Sequence, residues 1–370
     1  MKMRIVFATD FHLSNRLYGL EELEKDFYSK FQSLVDKVIN EKPDLFIQLG
    51  DIFDTPYPRP IAIKTFQEGL DRLNEEGIRC YGILGNHTLV RRRGFYPIDK
   101  VFKGMTLIED DCLIFDDVFI GGIGYHSKFD DMEALVDELY EKGKDYRVRI
   151  LLLHQSLKED IGIGYDFDED ELALRRFDYV FLGHFHKRVL RRTDDTVFHY
   201  IGSLNSCNVS EMMDEMRYGR GYTVFDTDDL SLEMKSLEVI HPFVQYNLNN
   251  LQLDWEIVDS MVESLKEYPC KPIVQLNFES NDAHDIYKMI NLLEEYALLV
   301  KYKVKAQDSL ENHSLDSEDM VSDVEELLRG CFDEGWKGDL AVELFNLLKD
   351  GKVESAQEVA DTVFRQQYSS

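Results

Sequence analysis

The chain reads as an α/β protein on three observations. Over roughly the first 205 residues, short apolar runs alternate with stretches of helical periodicity. Several of those runs are apolar without alternation, as strands buried on both faces are. Five of them run straight into Asp, Asn or His, three with a glycine just before.

The expected strands are 4–8, 45–49, 80–84, 118–123, 148–153 and 179–182. Between them, 23–40, 61–77 and 132–142 have helical spacing, and Gly77 stands where a helix would stop. From 203 to 238 the pattern is hairpin-like, with Gly221-Tyr222-Thr223-Val224-Phe225 followed by Leu232-Glu233-Met234. His241-Pro242 marks a boundary. Beyond it, strands 243–248, 272–278 and 299–304 alternate with helices 255–268 and 285–296, a small βαβαβ domain. Residues 307–317 are polar and acidic, as a linker is. Segments 319–331, 339–348 and 355–365 read as amphipathic helices, with apolar stripes at Val324, Leu327, Leu328 and Phe332 and at Leu340, Leu344, Phe345 and Leu348. The expected domains are therefore 1–240, 241–306 and 307–370.

Hydrophobic residues make up 44% and charged residues 31% of the 370, which excludes wholesale disorder. No run of 18 apolar residues occurs, and no signal-peptide pattern opens the chain, so neither a membrane span nor export is expected. The 5 cysteines are scattered without CxxC spacing, as reduced packing thiols in a cytoplasm would be. The net charge of −29 argues at first against nucleic acid, whose phosphates are held by Lys and Arg.

The strand ends carry the chemistry. The first run enters Asp10-Phe11-His12, and the second enters Gly50-Asp51-Ile52-Phe53-Asp54. The third enters Gly85-Asn86-His87. Then come His154-Gln155 and Gly183-His184-Phe185-His186. Strands of an α/β sheet deliver their ends to one rim. Carboxylates, imidazoles and one amide oxygen make a mixed N/O donor set, suited to Mn, Fe or Zn. Asp10, His12, Asp51, Asn86, His154, His184 and His186 are too many for one ion and fill two if one carboxylate bridges. Two ions about 3.5–4 Å apart suit in-line hydrolysis of a phosphate ester. Each string alone is weak, since a lone His is more often a packed core group. Yet 5 of the 10 histidines sit in these strings, each just past an apolar run. The other histidines read as surface or packing residues.

Asp-x-His, Gly-Asp-x-x-Asp, Gly-Asn-His, His and Gly-His-x-His, in this order, resemble the calcineurin-like metallophosphoesterase superfamily over residues 1–205. The string Gly-Asp-Ile-Phe-Asp-Thr-Pro-Tyr-Pro-Arg-Pro, Leu-Leu-Leu-His-Gln-Ser around His154, and Gly202-Ser203 resemble its DNA double-strand-break repair nucleases, the Mre-eleven and SbcD type. The resemblance implies a four-layer β-sandwich flanked by helices, an α+β DNA-capping domain, and a helical tail docking on a coiled-coil, SMC-like ATPase. It implies a homodimer, in a prokaryote, with an archaeal origin expected. It implies two Mn(II) per chain, with Fe, Zn and Mg as alternatives. Asp10, His12 and His186 would hold one ion and Asn86, His154 and His184 the other, with Asp51 bridging. His87 would be the general acid or transition-state contact. Two positions depart from the family pattern. Asp54 stands where archaeal members carry His, and Thr88 stands where an acidic residue usually follows Gly-Asn-His. Asp54 is expected to orient His87 by a hydrogen bond.

The implied activity is exonuclease action on double-stranded ends and endonuclease action on single strands. The charge can accommodate it. Residues 306–370 hold 16 acidic against 5 basic residues, so the tail carries −11 of the −29. Arg91, Arg92 and Arg93 closely follow the Gly-Asn-His string and Thr88, and Lys187 and Arg188 follow Gly-His-x-His. They are candidate DNA contacts, although a solvated surface explains any one pair equally well. Two other readings stand beside this one: a nucleotide or small-molecule phosphodiesterase on the same site, and a non-enzymatic DNA-end tether. A protein phosphatase is disfavoured because no Arg-Gly follows the Gly-Asp-x-x-Asp string.

Overall fold

The computed structural model describes residues 2–89, 97–126, 129–161, 167, 168, 170, 172, 176–248, 255–278, 283–304, 340–345, 347 and 359. Arg91, Arg92, Arg93, the linker at 307–317 and the stripe from Val324 to Phe332 lie outside them. The chain divides into two compact units, Met1–Ala306 and Gln307–Ser370.

The strands of the first unit follow in chain order: β1 (Arg4–Ala8), β2 (Leu45–Gln48), β3 (Arg79–Gly82), β4 (Met105–Leu107), β5 (Asp111–Phe115), β6 (Val118–Ile123), β7 (Val148–His154), β8 (Tyr179–Gly183), β9 (Val189–Thr193), β10 (Thr196–Tyr200), β11 (Gly221–Asp226), β12 (Leu232–Ser236), β13 (Phe243–Leu248), β14 (Ile273–Phe278) and β15 (Leu299–Val304). Two six-stranded sheets result, ordered β12-β11-β1-β2-β3-β4 and β5-β6-β7-β8-β10-β9. In the first, β1 to β4 are parallel and β11 and β12 add antiparallel at one side; in the second, the parallel strands β6, β7, β8 and β10 have an antiparallel strand at each edge.

The apolar runs without alternation now have their cause. In β1, Ile5 and Phe7 face the second sheet, while Val6 and Ala8 face the helices Glu21–Glu41 and Pro60–Glu75. The inter-sheet core pairs residues such as Ile47 and Ile83 with Ile120, Ile150 and Phe181, and the rings of Phe7 and Phe181 stack 4.1 Å apart. Helix Phe129–Gly143 covers the outer face of the second sheet. This is a four-layer sandwich, with burial on both faces of both sheets supplying the hydrophobic stabilisation.

The region 203–238 differs from the hairpin expectation in one respect. The hairpin is β11 and β12, but a helix, Val209–Tyr218, precedes it. Its cap is Asn208, whose side chain accepts from the Glu211 backbone N–H at 3.0 Å. A third sheet, β13-β14-β15, is parallel throughout and packs on Trp255–Lys266 and Ala283–Leu293 around its own core of Val274, Leu276 and Val300. Its Phe243 and Ile273 join the core beneath helix Glu21–Glu41. In the second unit, residues 340–345 are helical with Val342 buried. No described helix is long and apolar enough to cross a membrane.

Candidate metal centre

Sheet register assembles the site. Ala8 pairs with Gln48, Gln48 with Gly82, and, in the other sheet, His154 with Gly183, so three strand ends stop level in the first sheet and two in the second. The pairing continues into the loops, where Asp10 N–H donates to the Gly50 carbonyl at 3.2 Å and His12 N–H to the Asp51 carbonyl at 3.1 Å. Asp10, His12, Asp51 and His184 all have left-handed backbones, with φ of 52°, 47°, 50° and 80°. Asp and His tolerate that region better than most residues, and strain of this kind gathers at functional sites. Gly50, at φ 100°, has no alternative: a Cβ there would strike the His154 ring. At Gly85 a Cβ would strike Asp51.

The structure brings the seven expected ligands together. One group is Asp10, His12 and Asp51, and another is Asp51, His154 and His184. Asn86 Oδ1 lies 3.1 Å from His154 Nε2 and 2.9 Å from His184 Nδ1. His186 Nε2 faces His12 Nε2 at 3.0 Å. Asp10 Oδ1 lies 3.9 Å from both of those nitrogens and 4.0 Å from His154 Nε2, between the groups. Asp10, His12, Asp51 and His154 are buried.

The donor set fits cations. His186 donates through Nδ1 to Glu211 Oε1 at 3.1 Å, and His12 Nδ1 lies 3.2 Å from Asp54 Oδ1. Carboxylates on the outer nitrogens leave the two Nε2 lone pairs facing each other, an arrangement that a positive charge between or beside them relieves. The 3.0 Å separation matches two ligands on adjacent corners of one ion. Asp51 Oδ2 is buried and, among the described residues, accepts no well-aligned hydrogen bond. His154 donates through Nδ1 to the Leu49 carbonyl at 2.5 Å, turning Nε2 toward Asp51 Oδ2 at 3.1 Å.

The titration behaviour reports the same field. Burial disfavours charge on His154, but Asp51 and Asp10 outweigh it and push its pKa up to about 9. Burial also works against the Asp51 carboxylate, yet His154, His12 and His87 hold it far below its usual range. His186 is raised against its burial by Glu211 and Asp10.

His87 sits at the mouth, with its side chain 36% exposed. Its backbone N–H donates to Asp51 Oδ1 at 2.9 Å. Asp54 does orient its ring, but through the backbone: His87 Nδ1 is 2.9 Å from the Asp54 carbonyl and 3.7 Å from the carboxylate. The Asp54 carboxylate is engaged by His12 and by Asn15, which donates at 3.0 Å. The reason is reach, because the turn after Asp51 aims that side chain at β1's loop and its carbonyl at His87.

Arg188 gives its guanidinium to the Lys235 carbonyl and to Ser236 Oγ, fastening β12. Lys187 is 58% exposed and lies 3.8 Å from Asp214. Sequence reasoning missed Glu211. Besides holding His186, it accepts from Cys207 N–H at 2.8 Å and from Asn208 Nδ2 at 2.6 Å. The signal was present in Asn208-Val209-Ser210-Glu211, a capping-box spacing inside a stretch read as strand. Arg220, buried, clamps the same loop by donating to the His186 carbonyl at 2.8 Å and to Ser203.

Comparison with known proteins agrees with this geometry. Residues 3–188 match the calcineurin-like phosphoesterase family. The chain is 27% identical over 378 residues to the DNA double-strand break repair protein Mre11 of Methanocaldococcus jannaschii, covering 98% of this chain and 100% of that one. It is 29% identical to the protein of the same name from Methanococcus maripaludis, covering 87% of this chain and 89% of that one. The SbcD component of the SbcCD nuclease of Staphylococcus epidermidis is 26% identical, with 71% of this chain and 75% of that one covered. With half its length in the family match and relatives of one kind along most of the rest, the chain belongs to the calcineurin-like phosphoesterase family, in the branch of Mre11 and SbcD.

Proposed function

We propose that this protein is a metal-dependent DNA nuclease of double-strand-break repair. One arrangement supports the reading above all: two ligand groups share Asp51, and His87 stands half-exposed beside them. Asp10, His12 and His186 would hold one ion, and Asn86, His154 and His184 the other. When bound, the pair supplies positive charge to a phosphoryl group and lowers the pKa of water.

The chain's own groups do the rest. Asp51 is held between both clusters, and its Oδ1 tethers the His87 backbone. The carbonyl of Asp54 can only accept, so His87 carries a proton on Nδ1 and turns Nε2 to the site. A protonated Nε2 would donate to the leaving 3′-oxygen or to a phosphate oxygen. Arg220 and Glu211 keep the His184–His186 loop from relaxing.

The finer reading is two Mn(II) per chain, exonuclease action on double-stranded ends and endonuclease action on single strands. Lys187 and the arginines at 91–93 would follow the phosphate backbone. Arg188, with its guanidinium engaged by β12, would act by holding that edge in place. A coiled-coil ATPase would dock on the helical tail, and two copies of the chain would pair.

The test is purified full-length protein with Mn(II) on linear duplex DNA, hairpin DNA and a nitrophenyl phosphodiester. Cleavage of the DNA substrates is expected. His87→Asn should lower turnover with both ions retained, and Asp51→Asn should lose both. Cleavage of the small ester alone, or full DNA cleavage by Asp51→Asn, would sink the reading.

A further inference from the structure

Cys207 was expected to be a packing thiol, and it does touch the core beside helix Glu21–Glu41. Its position makes a stronger case. Its sulfur, a His12 ring nitrogen and a His186 ring nitrogen all lie within 4.8 Å of one another. The two imidazoles already turn their Nε2 atoms together at 3.0 Å, and His12 is only 1% exposed. One carboxylate positions both neighbours. Glu211 Oε1 takes the His186 Nδ1–H at 3.1 Å, and Glu211 Oε2 takes the Cys207 backbone N–H at 2.8 Å. The helix cap at Asn208 then fixes that carboxylate. By contrast, the Cys80 thiol is directed away from any such group, to the Ile78 carbonyl at 3.6 Å.

We propose that Cys207 is a ligand to the ion held by His12 and His186, and that it biases this position toward a softer divalent metal such as zinc, iron(II) or cobalt(II). The inference rests on reading the site as a metal centre. Coordination exchanges the thiol proton for the ion, and the proton passes to the buffer; no electrons move. Thiolate donors favour those metals over manganese, which prefers oxygen. The second position, built from Asn86, His154 and His184, has no sulfur among its described neighbours and keeps a harder N/O set. The chain would thus hold two chemically unequal ions.

Cobalt(II) titrated into the full-length protein tests this. Visible d–d bands report filling of the site whatever its ligands. An intense near-ultraviolet charge-transfer band reports a thiolate on cobalt. Wild type should show both. Cys207→Ser and Cys207→Ala should keep the visible bands and lose the near-ultraviolet one, and Cys207→Ser should lose about tenfold or more in zinc-over-manganese preference. A wild-type spectrum with d–d bands but no charge-transfer band overturns the proposal, as does a band that survives both substitutions. Absence of all cobalt bands would instead overturn the metal centre itself, and the proposal with it.

Discussion

Replacing Glu211 by Gln separates support of one ion from support of the other. The carboxylate accepts from His186 Nδ1 at 3.1 Å and from Cys207 N–H at 2.8 Å, one through each oxygen. Glutamine keeps the shape but has one acceptor oxygen, so one of those bonds is lost along with the charge. Loss of a carboxylate partner behind a metal-binding histidine weakens metal affinity about 10–100-fold, or about 1.4–2.7 kcal/mol. Glu211 touches His186 and neither His154, His184 nor Asn86, so the loss should be confined to one of two sites. Calorimetric titration with Mn(II) should therefore show one site weakened about 10–100-fold relative to wild type and the other unchanged. Asn208→Ala is a milder form of the same test. It removes the helix cap, at a cost of about 1 kcal/mol in stability, and the bond that steadies Glu211 Oε1, so it should weaken the same site by less than Glu211→Gln and spare the other. Equal weakening of both sites, or no weakening in Glu211→Gln, would refute the reasoning.

Other expectations concern stability. Asp99 is 2% exposed, and burial pushes its carboxyl up to about 6, from an ordinary value of 3.8. A raised carboxylate pKa costs stability as pH rises through the window from about 4 to 6. Asp99→Asn should gain on wild type across that window by about 3 kcal/mol, read from urea melts at several pH values; a difference independent of pH would contradict this. His199 behaves in the opposite sense. Burial pushes it down to about 4, while its ring bonds the Val189 carbonyl at 2.9 Å and the Thr223 hydroxyl at 2.8 Å. The unfolded state binds the proton first, so this contribution is full above about 6.5 and lost as pH falls through 4, worth about 3 kcal/mol. His199→Gln should flatten the acid limb of the stability curve, and an unaltered limb would count against the assignment. Gly50→Ala should fold poorly or lose metal, because the new methyl meets the His154 ring. Normal metal affinity in a soluble Gly50→Ala protein would show that the close approach is not required.

Much of this architecture was legible one residue at a time. The parallel strands were legible because burial on both faces leaves runs such as Leu151-Leu152-Leu153 with no polar interruption. The ligands were legible because each follows its strand directly, where the chain leaves the sheet. Strands β4, β5, β9 and β10 were not: β5 and β9 mix exposed and half-buried residues at the sheet edges, β4 is three residues long, and β10, though buried, carries Thr196 and His199 among its apolar residues. The helix Val209–Tyr218 was hidden by its short length and by the glycines that follow it.

By itself the sequence determined the order of the buried strands and the main helices between them, the donor types and their placement after strands, because periodicity and local chemistry are written in neighbouring residues. Only the tertiary structure decided which donors share a neighbour. Asp54 was expected to grip His87 with its carboxylate, yet that group reaches His12 and the backbone carbonyl takes the imidazole. Cys207 and, in the first turn of the helix that follows it, Glu211 lie nearly 200 residues beyond His12 and still meet it or its partner His186. Such meetings depend on sheet register and on left-handed turns at Asp10, His12, Asp51 and His184. Distances of a few ångströms between remote segments are set by the packing of the whole sandwich, and no local pattern encodes them.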